Sequence, residues 1–246
     1  MAEYFPVLAV TGATSGIGAA TARLATAANY RVAMLDLAAP ADEALLRHEN
    51  TIFAKCDVTS RESLQSALAL IEETWGQGPD AVVHCAGVYQ TSATEDLDLD
   101  LFARVQNINT TGTFLTAGIL GRSMLERGAG SMVLLSSIAF ALGDEAEPGA
   151  AYAASKGAVV SMGRQLAAEW GPRGVRTNVV APGVIDTPMT TIVDNERAYG
   201  DLLATHPLRR LGTAEEVARV CLFLVGPGSS YVNGAVIPVD GGQCIV

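Results

Sequence analysis

Short, continuous apolar runs recur along the chain, at residues 7–10, 31–35, 51–54, 81–83, 131–135, 175–180 and 235–239. Continuous runs, rather than apolar/polar alternation, mark strands covered on both faces. Helix-length stretches lie between most of them, at about 17–28, 41–48, 60–74, 98–127, 150–170 and 213–225. Strand–helix alternation of this kind predicts a parallel sheet of seven strands with helices on both sides. No linker or low-complexity segment interrupts it, so residues 1–246 are read as one domain.

Two of these helical stretches, 101–125 and 150–170, are apolar nearly all round. Such helices are buried on more than one side. Either another part of the same chain or a second subunit covers the extra face, and the pattern favours oligomerisation.

Composition narrows the function classes. The chain is 49% hydrophobic and carries a net charge of −10, with no basic run longer than Arg209-Arg210. It therefore lacks the basic face that nucleic acid requires. Cys56, Cys85, Cys221 and Cys244 are widely spaced, as are His48, His84 and His206. No metal site is expected from that distribution. No apolar run reaches membrane-spanning length. The start Met1-Ala-Glu-Tyr lacks the basic residues of a signal peptide, so a reducing cytoplasm is the expected compartment.

The first predicted strand runs into Thr11-Gly-Ala-Thr-Ser-Gly-Ile-Gly18. A glycine turn between strand and helix lets backbone approach a diphosphate, which the helix N-terminus attracts. Gly12, Ser15, Gly16, Ile17 and Gly18 are the candidate contacts, although G-x-x-x-G-x-G departs from the general dinucleotide fingerprint. The second strand ends in Asp36, twenty residues after Gly16. A carboxylate there accepts from an adenosine ribose and repels a 2′-phosphate. Neither Ser15 nor Leu37 is basic, so NAD is favoured over NADP. Asp57 and Val58, ending the third strand, are placed to meet the adenine.

Tyr152 and Lys156, in Ala150-Ala-Tyr-Ala-Ala-Ser-Lys-Gly157, are four residues apart and share a helix face. Alone, the pair reads equally as a surface contact or a proton-transfer site. Taken with the glycine loop, Asp36, Cys85-Ala86-Gly87, Asn109, Ser136-Ser137, Pro182-Gly183 and Asn233-Gly-Ala-Val-Ile-Pro-Val-Asp-Gly-Gly242, it resembles the short-chain dehydrogenases/reductases. The resemblance spans the chain and implies a Rossmann-like, doubly wound α/β fold.

It also implies roles. Tyr152 is the general acid/base, Lys156 lowers its pKa and binds the nicotinamide ribose, and Ser137 holds the substrate oxygen. A free phenol, with a pKa near 10, is a poor base at neutral pH, and an ammonium nearby stabilises the phenolate. Asn109 would anchor a relay water; Asn107 is its neighbour, and Ser136 is the alternative to Ser137. Pro182, Gly183, Ile185 and Thr187 would contact the nicotinamide end, with Cys85, Ala86 and Gly87 lining the cleft. Residues 188–211 would form a substrate lid with Tyr199, Leu202, Leu203 and His206 on the pocket wall. A homotetramer is the family precedent.

Some residues depart from the family pattern. His84-Cys85 replaces the frequent Asn-Asn pair, and Cys85 reads as a small buried filler or as a redox switch. Ser137 and Tyr152 are fifteen residues apart, wider than in many members. The extra loop carries Asp144, Glu145 and Glu147, which are either solvated or face a polar substrate. Arg209-Arg210 either binds an anion or pairs with the acidic surface.

The reading is an NAD-dependent enzyme interconverting a secondary alcohol and a ketone. The alternatives are an NADPH-dependent carbonyl or 3-oxoacyl carrier-protein reductase, an isomerase or dehydratase on the same fold, and a non-catalytic NAD sensor.

Overall fold

The computed structural model describes residues 5–145, 147–190 and 196–245. Residues 1–4, Ala146 of the acidic loop, residues 191–195 of the expected lid and Val246 lie outside the described residues.

The chain runs β1 (Val7–Thr11), α1 (Gly16–Ala27), β2 (Arg31–Asp36), α2 (Glu43–Leu46), β3 (Thr51–Lys55), α3 (Arg61–Trp75) and β4 (Ala81–His84). It continues through α4 (Leu99–Gln106), α5 (Gly112–Arg127), β5 (Gly130–Leu135), α6 (Ala150–Trp170) and β6 (Val175–Pro182). β7 (Ile185–Asp186), α7 (Glu196–Thr205), β8 (Gly212–Thr213), α8 (Ala214–Val225) and β9 (Val236–Val239) complete it.

Seven parallel strands form one sheet in the order β3-β2-β1-β4-β5-β6-β9. Strand winding reverses direction between β1 and β4, and the crevice beyond their carboxyl ends is where such sheets bind ligands. Successive side chains of β1 point to opposite faces. Val7 and Ala9 join a core with Leu64 of α3, Leu120 of α5 and Val159 of α6. Leu8 and Val10 join a second core with Ala22 of α1 and Val217 of α8. Double burial explains why the strands read as continuous apolar runs. The doubly wound, Rossmann-like α/β fold is therefore as the sequence predicts.

Glycine sets the depth of α6 on the sheet. A Cβ at Gly163 would stand 2.3 Å from Val179 Cγ2 of β6, and one at Gly121 of α5 would stand 2.8 Å from the Trp170 ring. Polar side chains start the helices. Ser60 accepts from Ser63 N ahead of α3, and Thr213 forms a reciprocal capping box with Glu216 ahead of α8. Arg210 makes two hydrogen bonds to Glu216, at 2.8 and 2.6 Å, so the ion-pair reading of that arginine holds.

Several boundaries differ from the sequence reading. The stretch 98–127 is not one continuous α-helix, because a π-helical turn at Asn107–Thr111 joins α4 to α5. The 41–48 helix contracts to α2, capped by Asp42. Inside the expected lid stands α7, and β7 pairs with β8 in a small second sheet. Burial within one chain does not cover the α4–α5 surface: Phe102 is 45% exposed and Phe114 60%. Among the described residues, no helix is long and apolar enough to cross a membrane, and no three His, Cys, Asp or Glu residues group as metal ligands.

Candidate active site

One cavity of about 1030 Å³ opens at the carboxyl edge of the sheet. Every expected catalytic and cofactor-binding residue lines it except Asn109.

At one end lies the glycine loop. Gly12 has φ +62°, and a Cβ there would stand 2.8 Å from Ala86 N. A Cβ at Gly18 would come within 2.0 Å of Gly12 O, so the first turn of α1 sits directly on the loop. Ser15 precedes α1 in an extended conformation and makes no side-chain cap. The uncapped first-turn N–H groups suit a diphosphate. Asp36 stands at the end of β2. Its Oδ2 accepts from Thr14 N at 3.0 Å and Thr14 Oγ1 at 2.8 Å, and its Oδ1 accepts from Leu37 N at 2.7 Å. A carboxylate offers about four acceptor sites, so capacity remains for a ribose hydroxyl. Asp57 Oδ1 accepts from Thr59 N and Oγ1 at 2.8 and 2.7 Å, which fixes the turn that presents Val58. These residues fit a dinucleotide: close backbone, a bare helix start and an acid for the ribose.

The exit of β4 forms the floor. Buried His84 shares a 2.8 Å hydrogen bond between its Nδ1 and Thr11 Oγ1, and Thr11 Oγ1 accepts from Ala86 N at 3.2 Å. Burial first, and the Lys156 charge second, push the imidazole down to about 3. Burial pushes the Cys85 thiol up to about 12, so it stays a thiol, in keeping with the filler reading.

The residues expected to handle the proton gather at the other end. Ser137 Oγ accepts from Ala139 N at 3.2 Å. Ser136 Oγ instead donates to Lys156 O at 2.8 Å, which ties β5 to α6. That division of labour selects Ser137 as the serine facing Tyr152. Burial raises the Tyr152 phenol, and the hydrogen bond with Ser137 opposes the rise. Lys156 Nζ donates to Leu135 O at 3.0 Å and lies over the Tyr152 ring, 5.5 Å from its centroid. Its ammonium is pulled down to about 8 by burial. Lys156 thus stands over the Tyr152 ring, and the expected lowering of the phenol by its charge is not seen, because burial raises it.

Asn109 stands behind the cavity wall, 1% exposed, in the π-helical turn. Its Oδ1 accepts from Val88 N at 2.8 Å, and its Nδ2 donates to Val88 O and to Ser155 Oγ at 2.9 and 3.0 Å. It ties the β4 exit to α6. A Cβ at Gly87 would stand 3.1 Å from Asn109 Oδ1 and 3.5 Å from Lys156 Nζ. Gly87 therefore lets these two side chains approach from either side of the β4 exit.

After β6, Thr187 crosses to the glycine loop, with its Cγ2 3.3 Å from a Cβ built on Gly16. Met189, Thr190 and Leu202 line the cavity from the expected lid. Tyr199 and Leu203 do not, and buried His206 turns its Nδ1 onto Leu202 O at 2.9 Å. Of the acidic loop, Asp144 and Glu147 line the cavity and Glu145 does not. Sequence reasoning missed Thr11, Thr14, Tyr89 and Gln243. Thr14 and Thr11 lie inside the glycine motif and were open to inspection; Tyr89 and Gln243 carry no local signal.

Comparison with known proteins agrees with this geometry. A family model described as Enoyl-(Acyl carrier protein) reductase matches residues 12–243. The 3-oxoacyl-[acyl-carrier-protein] reductase MabA of Mycobacterium tuberculosis is 38% identical over 237 residues, covering 95% of this chain and 91% of that protein. Galactitol 2-dehydrogenase (L-tagatose-forming) of Cereibacter sphaeroides is 36% identical, covering 96% and 94%. The crystal structure of gox2181 superposes with a TM-score of 0.92 at 33% identity, covering 99% of this chain and 97% of that one.

Proposed function

This chain belongs to the short-chain dehydrogenase/reductase family, and from that premise we propose that it oxidises a secondary alcohol to a ketone, and catalyses the reverse reduction, with NAD. The observation that carries the reading is Ser137, Tyr152 and Lys156 lining the far end of the cavity that the glycine loop opens, with Lys156 Nζ 5.5 Å from the centre of the Tyr152 ring.

The nicotinamide, when bound, accepts or returns the hydride. The chain manages the proton and the charge. Ser137 Oγ holds the substrate oxygen, and Tyr152 Oη takes its proton in oxidation or returns it in reduction. Lys156, charged below about pH 8, places a positive group behind the phenol ring. Asp36, Gly12 and the start of α1 hold the nucleotide. Asp36 supports NAD, because a 2′-phosphate would meet a carboxylate already fixed by Thr14. Exposed Phe102 and Phe114 support a homotetramer, and the free thiols of Cys56, Cys85, Cys221 and Cys244 suit a reducing cytoplasm.

The similarity to MabA favours a second reading, NADPH-dependent reduction of a 3-oxoacyl carrier-protein substrate. One assay separates the two. Nicotinamide absorbance is followed with secondary alcohols, sugar alcohols and a 3-oxoacyl thioester, with NAD and NADP in parallel and Tyr152→Phe as control. Turnover of an alcohol with NAD, lost in the variant, supports the proposal. Turnover of the thioester with NADPH alone sinks it.

A further inference from the structure

Two loops meet at the substrate end of the cavity, one leaving β4 and one entering α6. Ser92 N donates to Pro148 O at 3.0 Å, so the loops are joined through backbone. Beside this join, Tyr89 donates its hydroxyl hydrogen bond to Glu147, and both residues line the cavity. The Tyr89 ring stands edge-on to the Tyr152 ring, with centroids 4.9 Å apart and planes at 89°. The reacting group and this pair therefore share one wall.

We propose that Tyr89 and Glu147 form a hydroxyl-binding subsite beyond the reacting carbon, which selects small neutral polyols. The inference rests on the dehydrogenase reading above. With its proton committed to Glu147, Tyr89 Oη offers the substrate a lone pair, and Glu147 offers its other carboxylate oxygen. Both are acceptors. A wall of acceptors is satisfied by a ligand that brings donors, and a chain of hydroxyls beside the carbinol does so. A purely apolar alcohol makes no hydrogen bond to these acceptors and so gains nothing from them. Asp144 lines the cavity as well, so an anionic chain meets like charge. Arg104 of α4 is a cation on the cavity wall, so an anionic substrate belongs in the test.

Four five-carbon alcohols, with chains of matched length, make that test: xylitol, 2-pentanol, 4-hydroxypentanoate and 5-amino-2-pentanol. The wild-type chain is expected to prefer xylitol over the other three by at least about tenfold in kcat/KM. In Glu147→Gln, and separately in Tyr89→Phe, the xylitol-to-2-pentanol ratio is expected to fall about tenfold, through KM rather than kcat, as loss of a hydrogen bond to a charged group predicts. A ratio that stays put in both variants overturns the subsite, because a merely structural role would lower both substrates together. Preference for the anion or the amine overturns it too. No turnover of any of the four with either nucleotide overturns the dehydrogenase reading itself, and this inference with it.

Discussion

Thr14 donates twice to a single oxygen of Asp36, from its amide at 3.0 Å and its hydroxyl at 2.8 Å. The acid that is to meet the ribose thereby also holds the glycine loop in place. Asp36→Ala is expected to weaken NAD binding by about 10- to 100-fold, since it removes charge-assisted bonds on both sides. Thr14→Ala should cost less, about three- to tenfold, because only the brace is lost. Titration calorimetry with NAD reads both. Equal affinity in wild type and Thr14→Ala would show the brace to be idle.

In the proposed reaction Tyr152 and Ser137 act on the same substrate oxygen. Tyr152→Phe is expected to lower kcat by about 10²- to 10⁴-fold, the usual reach of a general acid/base. Ser137→Ala, which removes a donor to developing charge, should cost about 10²- to 10³-fold. NAD affinity should stay within about threefold in Ser137→Ala. Stopped-flow single turnovers separate the chemical step from binding.

His84 makes acid stability a readable quantity. In the folded chain burial holds its pKa near about 3, against an ordinary value of 6.5. The unfolded chain therefore binds the extra proton between those values, and stability falls as pH drops from about 6.5 toward 3. One such group contributes a slope of about 1.4 kcal/mol per pH unit. His84→Gln should show a shallower acid limb in urea titrations across that range. Parallel limbs would mean that the imidazole charges in the folded chain at little cost.

Gly163 tests how tightly α6 is seated. A Cβ there would stand 2.3 Å from Val179 Cγ2, so Gly163→Ala must displace helix or strand. Overpacking of this kind costs about 1–3 kcal/mol. In a chain of this size that lowers Tm by about 2–4 °C per kcal/mol. Calorimetry of the variant checks it, and an unshifted Tm would show that the helix moves freely.

Period and punctuation made much of the fold legible. Strands buried on two faces cannot alternate, so β1, β2 and β4 stood out as apolar runs. The glycine loop was legible because close backbone approach admits little else at Gly12 and Gly18. The π-helical turn was not, because no residue type in Asn107–Thr111 marks it, although it holds Asn109 on Val88 and Ser155. Nor was the Tyr89–Glu147 contact, which joins positions 58 residues apart through loops that have no periodicity. Nothing local in Ser136-Ser137 says which hydroxyl ties down α6; the structure gives that bond to Ser136.

The bond from Ser136 to Lys156 O fastens the end of β5, just ahead of Ser137, to the helix that carries Tyr152. The reactive groups are thereby set by rigid elements, while Tyr89 and Glu147 hang on loops outside that fastening. If the proposed reaction holds, drift in the loops retargets such a protein to a new substrate without retuning its chemistry. For an engineer, positions 89 and 147 are where a library belongs, and position 136 is one to leave alone.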